Sequence, residues 1–94
     1  MVIPEEFLTF TAFFHQDFDL LFPNGEGLIE DAISHTKLEH QNIIKSFIDD
    51  LLSGKFTEDE LRMIWRSTRA EISPFRGTEG SCTEFLKLIR SFLA

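Results

Sequence analysis

The chain has 94 residues, a formal net charge of −7 and an apolar fraction of 43%. This length suits one domain better than two, and eleven Phe residues argue against intrinsic disorder. The single Cys excludes an internal disulfide, and no apolar run has the roughly 18–20 residues that span a bilayer. The first six residues lack the pattern of a secretory signal. We therefore expect one domain over residues 1–94 and a cytoplasmic location.

Acidic charge is concentrated in the N-terminal third of the chain. Residues 1–36 contain no Lys or Arg, whereas the nine acidic residues of 37–94 are balanced by nine basic ones. This asymmetry disfavours nucleic acid and anionic membranes as partners and favours a basic partner. The alternative is that the acidic residues only increase solubility. Solubility, however, does not require acidic and basic residues to lie in separate parts of the chain. The seven acidic residues are Glu5, Glu6, Asp17, Asp19, Glu26, Glu30 and Asp31.

A first helix is predicted over residues 4–14. Pro4 suits the first helical position because its missing N–H would have no partner there. Glu5 and Glu6 favour the positive end of the helix dipole. Apolar residues then recur at helical spacing, at Ile3, Phe7, Phe10 and Phe14.

A turn and a short second helix are predicted next. Residues 15–22 mix apolar and polar side chains without a clean period, and residues 23–25 read Pro-Asn-Gly, which is typical of a turn. The second helix is indicated by apolar residues at helical spacing, namely Leu28, Ile29, Ala32 and Ile33.

Three later helices are predicted from capping boxes, in which a hydroxyl accepts from the N3 amide and a Glu accepts from the N–H of the cap. The boxes begin at Thr36, Thr57 and Ser81. Gly54 is expected to end the third helix in a left-handed conformation. The apolar faces are Ile44, Phe47, Ile48, Leu51 and Leu52, then Leu61, Ile64 and Trp65, then Phe85, Leu88, Ile89 and Phe92.

The fold class follows from this helical pattern. No segment alternates at period 2, and residues 71–80 form the one long predicted loop. We expect an all-α fold, a compact single-domain bundle of four to five helices.

Few residues are candidates for catalysis or metal binding. His15, Asp17 and Asp19 are possible metal ligands, but no fourth ligand has a recognisable spacing, and capping of a turn is the favoured interpretation. Cys82 lies at a predicted helix N-terminus, where the dipole favours a thiolate. It has no neighbouring base in the sequence and is interpreted as a small residue of the first turn. His35 and His40 are interpreted as surface residues.

Charged and aromatic residues offer further candidates for binding. Arg62, Arg66 and Arg69 form a stripe that could contact phosphates, but Glu58 precedes Arg62 by one turn and the pI is near 4.8, which favours a solvated helix face. Most Phe rings are assigned to the core. Two Phe rings within the acidic segment are instead candidates to anchor a partner protein, namely Phe18 and Phe22.

Residues 13–20 read Phe-Phe-His-Gln-Asp-Phe-Asp-Leu. This stretch resembles the aromatic-His-Gln-Asp-aromatic-Asp motif of the CdiI immunity proteins of bacterial contact-dependent growth inhibition systems. The order of the later features agrees with that family over nearly the whole chain. Two departures are Ser73 before Pro74, where an Asp-Pro pair is usual, and Phe85, where Trp is common.

The resemblance implies an inhibitor and no enzymatic activity, metal or other cofactor. Its implied partner is the toxin domain, often a nuclease, at the C-terminus of a CdiA-like exoprotein. In this family the motif, here Phe14, His15, Gln16 and Asp17, is expected to be structural.

We hypothesise that an acidic surface meets a basic toxin surface. Its residues would be Asp17, Asp19, Phe22, Glu26, Glu30 and Asp31. Two alternatives stay open at this point: an acidic adaptor for an unrelated protein, and a small metal-dependent enzyme.

Overall fold

Five helices lie within the residues that the computed structural model describes, 2–14, 26–70 and 82–93. No strand occurs in these ranges, and the radius of gyration of 12.3 Å is that of a compact chain of this length. The predicted all-α bundle is therefore confirmed. The helices are α1 (Glu5–Thr11), α2 (Glu26–Ser34), α3 (Leu38–Leu51), α4 (Glu58–Arg66) and α5 (Cys82–Phe92).

Helix α1 is shorter than predicted at both ends. Pro4 is the N-cap and not the first helical residue, because its extended ψ of 141° places it outside the helix. Its carbonyl accepts from the N–H groups of Phe7 and Leu8 at 3.0 and 3.2 Å. After Thr11 the N–H groups of Phe13 and Phe14 donate to carbonyls three residues earlier, so the chain tightens as it leaves the helix.

One predicted capping box is confirmed and another is wrong. The Thr57 hydroxyl accepts from the N–H of Glu60 at 3.1 Å, and the Glu60 carboxylate accepts from the N–H of Thr57 at 2.9 Å. At the start of α3, however, Lys37 is the N-cap. The Thr36 hydroxyl instead donates to the Ala32 carbonyl at 2.8 Å, because this carbonyl at the end of α2 has no helical partner. Ser81 lies outside the described residues.

The predicted apolar faces form one core, with a shift on α5. The most buried positions of α5 are Cys82, Leu86 and Ile89, followed by Leu93 just beyond the helix, whereas Phe85, Leu88 and Phe92 are only partly buried. Gly54 has a φ of +98°, so the left-handed conformation expected after α3 is confirmed. Other buried apolar residues are Phe7, Phe10, Phe14, Ile29, Ala32, Ile44, Phe47, Ile48, Leu51, Leu61 and Trp65.

Three aromatic rings pack edge to face where α1, α4 and α5 meet. The ring centroids of Phe14 and Trp65 are 5.3 Å apart, those of Phe14 and Phe85 5.8 Å, and those of Trp65 and Phe85 5.5 Å. The interplanar angles of 80–88° are the arrangement that the ring quadrupoles favour. Phe7 extends the cluster to Phe47 of α3 at 4.9 Å. Phe rather than Tyr suits this cluster because no hydroxyl needs a buried partner.

Substitution of Phe14 by Leu should lower the free energy of unfolding by about 1.5–3 kcal/mol. The change removes a fully buried ring and its edge-to-face pairs, each worth about 0.5–1.5 kcal/mol beyond area burial. Urea denaturation followed by tryptophan fluorescence and circular dichroism would measure the loss. Phe92→Leu is the matched control, since the same change at a half-buried ring should cost less. Equal losses in the two variants would contradict the central role of the Phe14 ring.

Candidate functional site

The acidic side chains that the structure describes in residues 1–36 lie on two helices. Glu5 and Glu6 occupy the first turn of α1, where the helix dipole stabilises negative charge. Glu30 is exposed and Asp31 is partly exposed on α2. These four carboxylates are therefore exposed or partly exposed, and none of them is buried in the core.

The end of α2 holds His35 in a defined orientation. The Nδ1 atom of His35 is 2.8 Å from the Asp31 carbonyl oxygen and 3.7 Å from the Asp31 carboxylate. The Ser34 hydroxyl donates to the same carbonyl at 2.6 Å. Because a carbonyl only accepts, Nδ1 carries the proton, and in the neutral ring Nε2 is an acceptor.

A groove of about 190 Å³ separates α1 from the connection between α2 and α3. Phe10 and Phe13 supply aromatic walls, and the ring centroid of Phe13 lies 5.6 Å from that of His35 at an interplanar angle of 32°. No Lys or Arg is among the described residues that line it. The lining residues are Glu5, Glu6, Thr9, Phe10, Phe13, His35, Thr36 and His40.

Two of the three arginines predicted as a stripe are paired with carboxylates. Arg69 Nη2 lies 2.8 Å from Glu5 Oε1, and the N–H of Arg69 donates to the buried Thr11 hydroxyl at 3.3 Å. Arg62 Nε donates to Glu58 Oε2 at 2.6 Å. These pairs favour the interpretation of the stripe as a helix face with local partners over a surface that binds phosphate.

The Glu58 carboxylate caps a helix other than its own. Its oxygens accept from the N–H groups of Cys82 and Thr83 at 2.7 and 3.0 Å and from the Thr83 hydroxyl at 2.8 Å. These donors belong to the first turn of α5, where helical N–H groups otherwise lack partners. Glu58 therefore joins the start of α4 to the start of α5, with Arg62 completing the charge pair.

This arrangement changes the pKa of both Glu58 and Cys82. Burial alone would raise the pKa of Glu58, but the hydrogen bonds from Thr83, Cys82 and Arg62 outweigh it and lower the pKa to about 2. Burial and the negative charge of Glu58 raise the pKa of the Cys82 thiol, whereas the positive charge of Arg62 lowers it. The net result is a pKa of about 12. Cys82 thus stays a neutral thiol in the core, which agrees with its interpretation as a small residue of the first turn.

The structure describes only part of the surface predicted from the sequence. Glu30 and Asp31 lie on one helix, and Glu26 is the first residue of that helix. Phe14, the first residue of the motif, is fully buried in the aromatic cluster. The other predicted positions lie outside the described residues: His15, Gln16, Asp17, Asp19 and Phe22, together with Phe18.

Sequence reasoning missed two features of this region. His35 and His40 line one groove, because His35 lies in the connection between α2 and α3 and His40 lies in the first turn of α3. The capping role of Glu58 was also missed, since its partners are 24 and 25 residues away. No local pattern encodes that contact.

Within the described ranges, no three His, Cys, Asp or Glu side chains are grouped so that they could hold a metal ion. The metal ligands considered as an alternative, His15, Asp17 and Asp19, lie outside those ranges. Among the helices of the described parts, none is both long and apolar enough to cross a bilayer.

Fold and charge distribution together define a small, acidic, all-α protein with carboxylates presented on its surface. Comparison with protein families identifies it further: the chain belongs to the CdiI immunity protein family, whose model matches residues 5–93. This confirms the resemblance noted in the sequence. Members of this family are inhibitors that neutralise a toxin in contact-dependent inhibition. Searches of curated proteins and of solved structures found no match.

Replacement of Glu58 by Gln should lower the free energy of unfolding at neutral pH and make that free energy less dependent on pH in the acidic range. The pKa of Glu58 is about 2 in the folded protein against an ordinary 4.5, so its contribution is present above pH 4.5 and is lost as the pH falls towards 2. With its side chain 34% exposed, solvent screening limits that contribution to about 1–2 kcal/mol. Urea denaturation at a series of pH values would measure it.

Asp59→Asn is the matched control because Asp59 is the exposed neighbour of Glu58 in the same helical turn. This variant removes one carboxylate without removing the cap of α5. Its stability should follow that of the unmodified protein from neutral to acidic pH. If the two variants behaved alike, the contacts of Glu58 with α5 would not determine the stability.

Proposed function

We propose that this chain neutralises a nuclease toxin by placing its acidic N-terminal third against a basic surface of the toxin domain. Family membership supports toxin neutralisation as such. The nature of the toxin and of the contact is inferred from charge. The observation that carries the proposal is that residues 1–36 hold seven carboxylates and no Lys or Arg.

A nuclease is a suitable partner for such a surface because it must bind the phosphates of its substrate. Phosphate contacts supply much of the affinity for nucleic acid, so the clefts of these enzymes are basic. A group of carboxylates on an inhibitor is attracted to the same cleft. Long-range attraction also raises the association rate above the roughly 10⁵–10⁶ M⁻¹s⁻¹ of uncharged partners at low salt. Rapid capture matters because toxin that stays free continues to turn over its substrate.

The proposed contact surface keeps the residues inferred from the sequence. Glu30 and Asp31 support it, since both reach solvent on α2. We propose that Asp17, Asp19, Phe22 and Glu26 contribute to the same surface. The motif residues Phe14, His15, Gln16 and Asp17 serve to hold the chain after α1, so Asp17 belongs to both sets. The buried Phe14 ring supports this division. The proposed partner is the C-terminal domain of a CdiA-like exoprotein, met in the cytoplasm.

Growth protection tests the proposed function directly. The toxin domain encoded by the gene immediately upstream would be induced in cells with and without this chain. Protection together with copurification of the two proteins would support neutralisation by binding. An acidic adaptor for some other protein would give neither result. Nucleic acid degradation in the unprotected cells would identify the toxin as a nuclease.

Neutralising three acidic residues of the proposed surface should slow association with that toxin domain. For the triple variant Asp17→Asn, Asp19→Asn, Glu30→Gln, we expect an association rate at least about tenfold lower at low salt, with a shallower salt dependence. The dissociation rate should change less, because steering acts before contact. Stopped-flow or surface-based kinetics at several salt concentrations would measure both rates.

The matched control removes the same amount of charge from the balanced part of the chain. Its substitutions are Asp50→Asn, Asp59→Asn and Glu84→Gln, at residues outside the N-terminal third. This control should retain most of the association rate. Equal slowing in both triple variants would show that net charge alone governs association and would remove the argument for a localised surface.

A further inference from the structure

The groove between α1 and the connection from α2 to α3 has the chemistry of a receptor for one cationic side chain. We infer that it binds a single arginine of the toxin domain. The inference rests on the proposed function, which supplies a basic partner, and it adds a position and a residue type. Glu5 and Glu6 count among the seven carboxylates of residues 1–36, but neither they nor the two histidines of the groove are among the contact residues named above.

The groove combines apolar walls with negative charge. Phe10 is almost fully buried and forms part of the wall, while Phe13 is half-buried beside it. Glu5 and Glu6 also line the groove, and no described lining residue carries a permanent positive charge. A long side chain with an apolar stem and a cationic end matches this combination, because the stem can lie on the rings while the charge meets the carboxylates.

Arginine fits these walls better than lysine. The ring centroids of Phe13 and His35 lie 5.6 Å apart at an interplanar angle of 32°, and both residues line the groove. A planar guanidinium stacks on an aromatic face and donates two parallel hydrogen bonds to one carboxylate. An ammonium group acts as a hydrated point charge and gains less from both features.

The hydrogen bonds of His35, which lines the groove, determine which ring nitrogen can accept. Since the protonated Nδ1 atom donates to the Asp31 carbonyl, the lone pair of the neutral ring is on Nε2. Arginine has five N–H donors and no acceptor, so a lone pair on this lining residue suits it. The contact with Asp31 of α2 sets the orientation of the ring before any partner binds.

Within the described residues, the two carboxylates of the groove differ in availability. Glu5 is engaged by Arg69 at 2.8 Å, which places a guanidinium of the chain itself on one of them. Among the described residues Glu6 has no ion-pair partner and is half-buried. An incoming arginine would therefore depend chiefly on Glu6, and the Glu5–Arg69 pair shows that this turn of α1 is accessible to a guanidinium.

Small probes test the groove without the toxin. The full chain would be titrated with N-acetylarginine amide, N-acetyllysine amide and the neutral N-acetylcitrulline amide, and amide shifts would be followed by ¹H–¹⁵N spectra. We expect saturable shifts at Thr9, Phe13 and Thr36 with the arginine probe, weaker ones with lysine, and none with citrulline. Equal responses to all three probes, an equal response to lysine, or shifts confined to other parts of the chain would overturn the inference.

Two variants of equal charge change separate the groove from general electrostatics. Glu6→Gln should weaken binding of the arginine probe by about two- to tenfold, whereas Asp59→Asn, on α4 and outside the groove lining, should leave it unchanged. Circular dichroism and urea denaturation of both variants would verify that the fold is retained. The same loss in both variants would overturn the assignment.

The toxin complex then separates failure of the groove from failure of the proposed function. If the groove binds a toxin arginine, Glu6→Gln should raise the dissociation rate of the complex by a similar factor. An unchanged dissociation rate with intact growth protection would overturn the groove inference and leave toxin neutralisation standing. Absence of any complex with the unmodified chain would instead count against the proposed function.

Discussion

Edge-to-face packing of Phe14 against Trp65 and Phe85 is the contact on which the arrangement of the other elements depends. It holds Phe14, three residues beyond the end of α1, against α4 and α5, two helices from the opposite end of the chain. Because Phe7 and Phe10 continue the same apolar face, α1 has a defined rotation about its axis. That rotation places Glu6 and Phe13 on the groove and keeps the acidic first turn at the surface.

Among the residues that the structure describes, Glu58 and Glu30 show two different physical roles for a carboxylate. The Glu58 carboxylate accepts hydrogen bonds from three donors of α5 and from Arg62. Its charge therefore stabilises the contact between α4 and α5. Glu30, by contrast, is exposed, and Asp31 interacts with a histidine that is charged only when protonated. Charge that the fold does not use remains available to a partner, and the net negative charge of the chain is concentrated before residue 37.

Local patterns predicted the elements well because helix periodicity and capping depend on residues three or four positions apart. Thr57 and Glu60 form the predicted box for this reason. Thr36 carries the same pattern, but its hydroxyl donates to the end of the preceding helix, a competing acceptor that the box itself does not reveal. The groove and the Glu58 cap depend on contacts between helices, so neither could be predicted from spacing. The charge asymmetry could be found from the sequence because it depends only on the number of acidic and basic residues in each part of the chain.

The residues that hold the fold of this protein differ from those proposed to contact the toxin, so binding specificity can change while the fold is retained. The side chains that hold α1 are apolar and buried, whereas Glu6, Glu30 and Asp31, which are proposed to meet the toxin, are carboxylates that reach solvent on α1 and α2. Changing an exposed carboxylate costs little stability, while changing Phe14 disturbs the packing of three helices. The same core can therefore carry different charged surfaces, and a geometric feature such as the groove can select a particular basic residue where net attraction alone would accept any cationic protein.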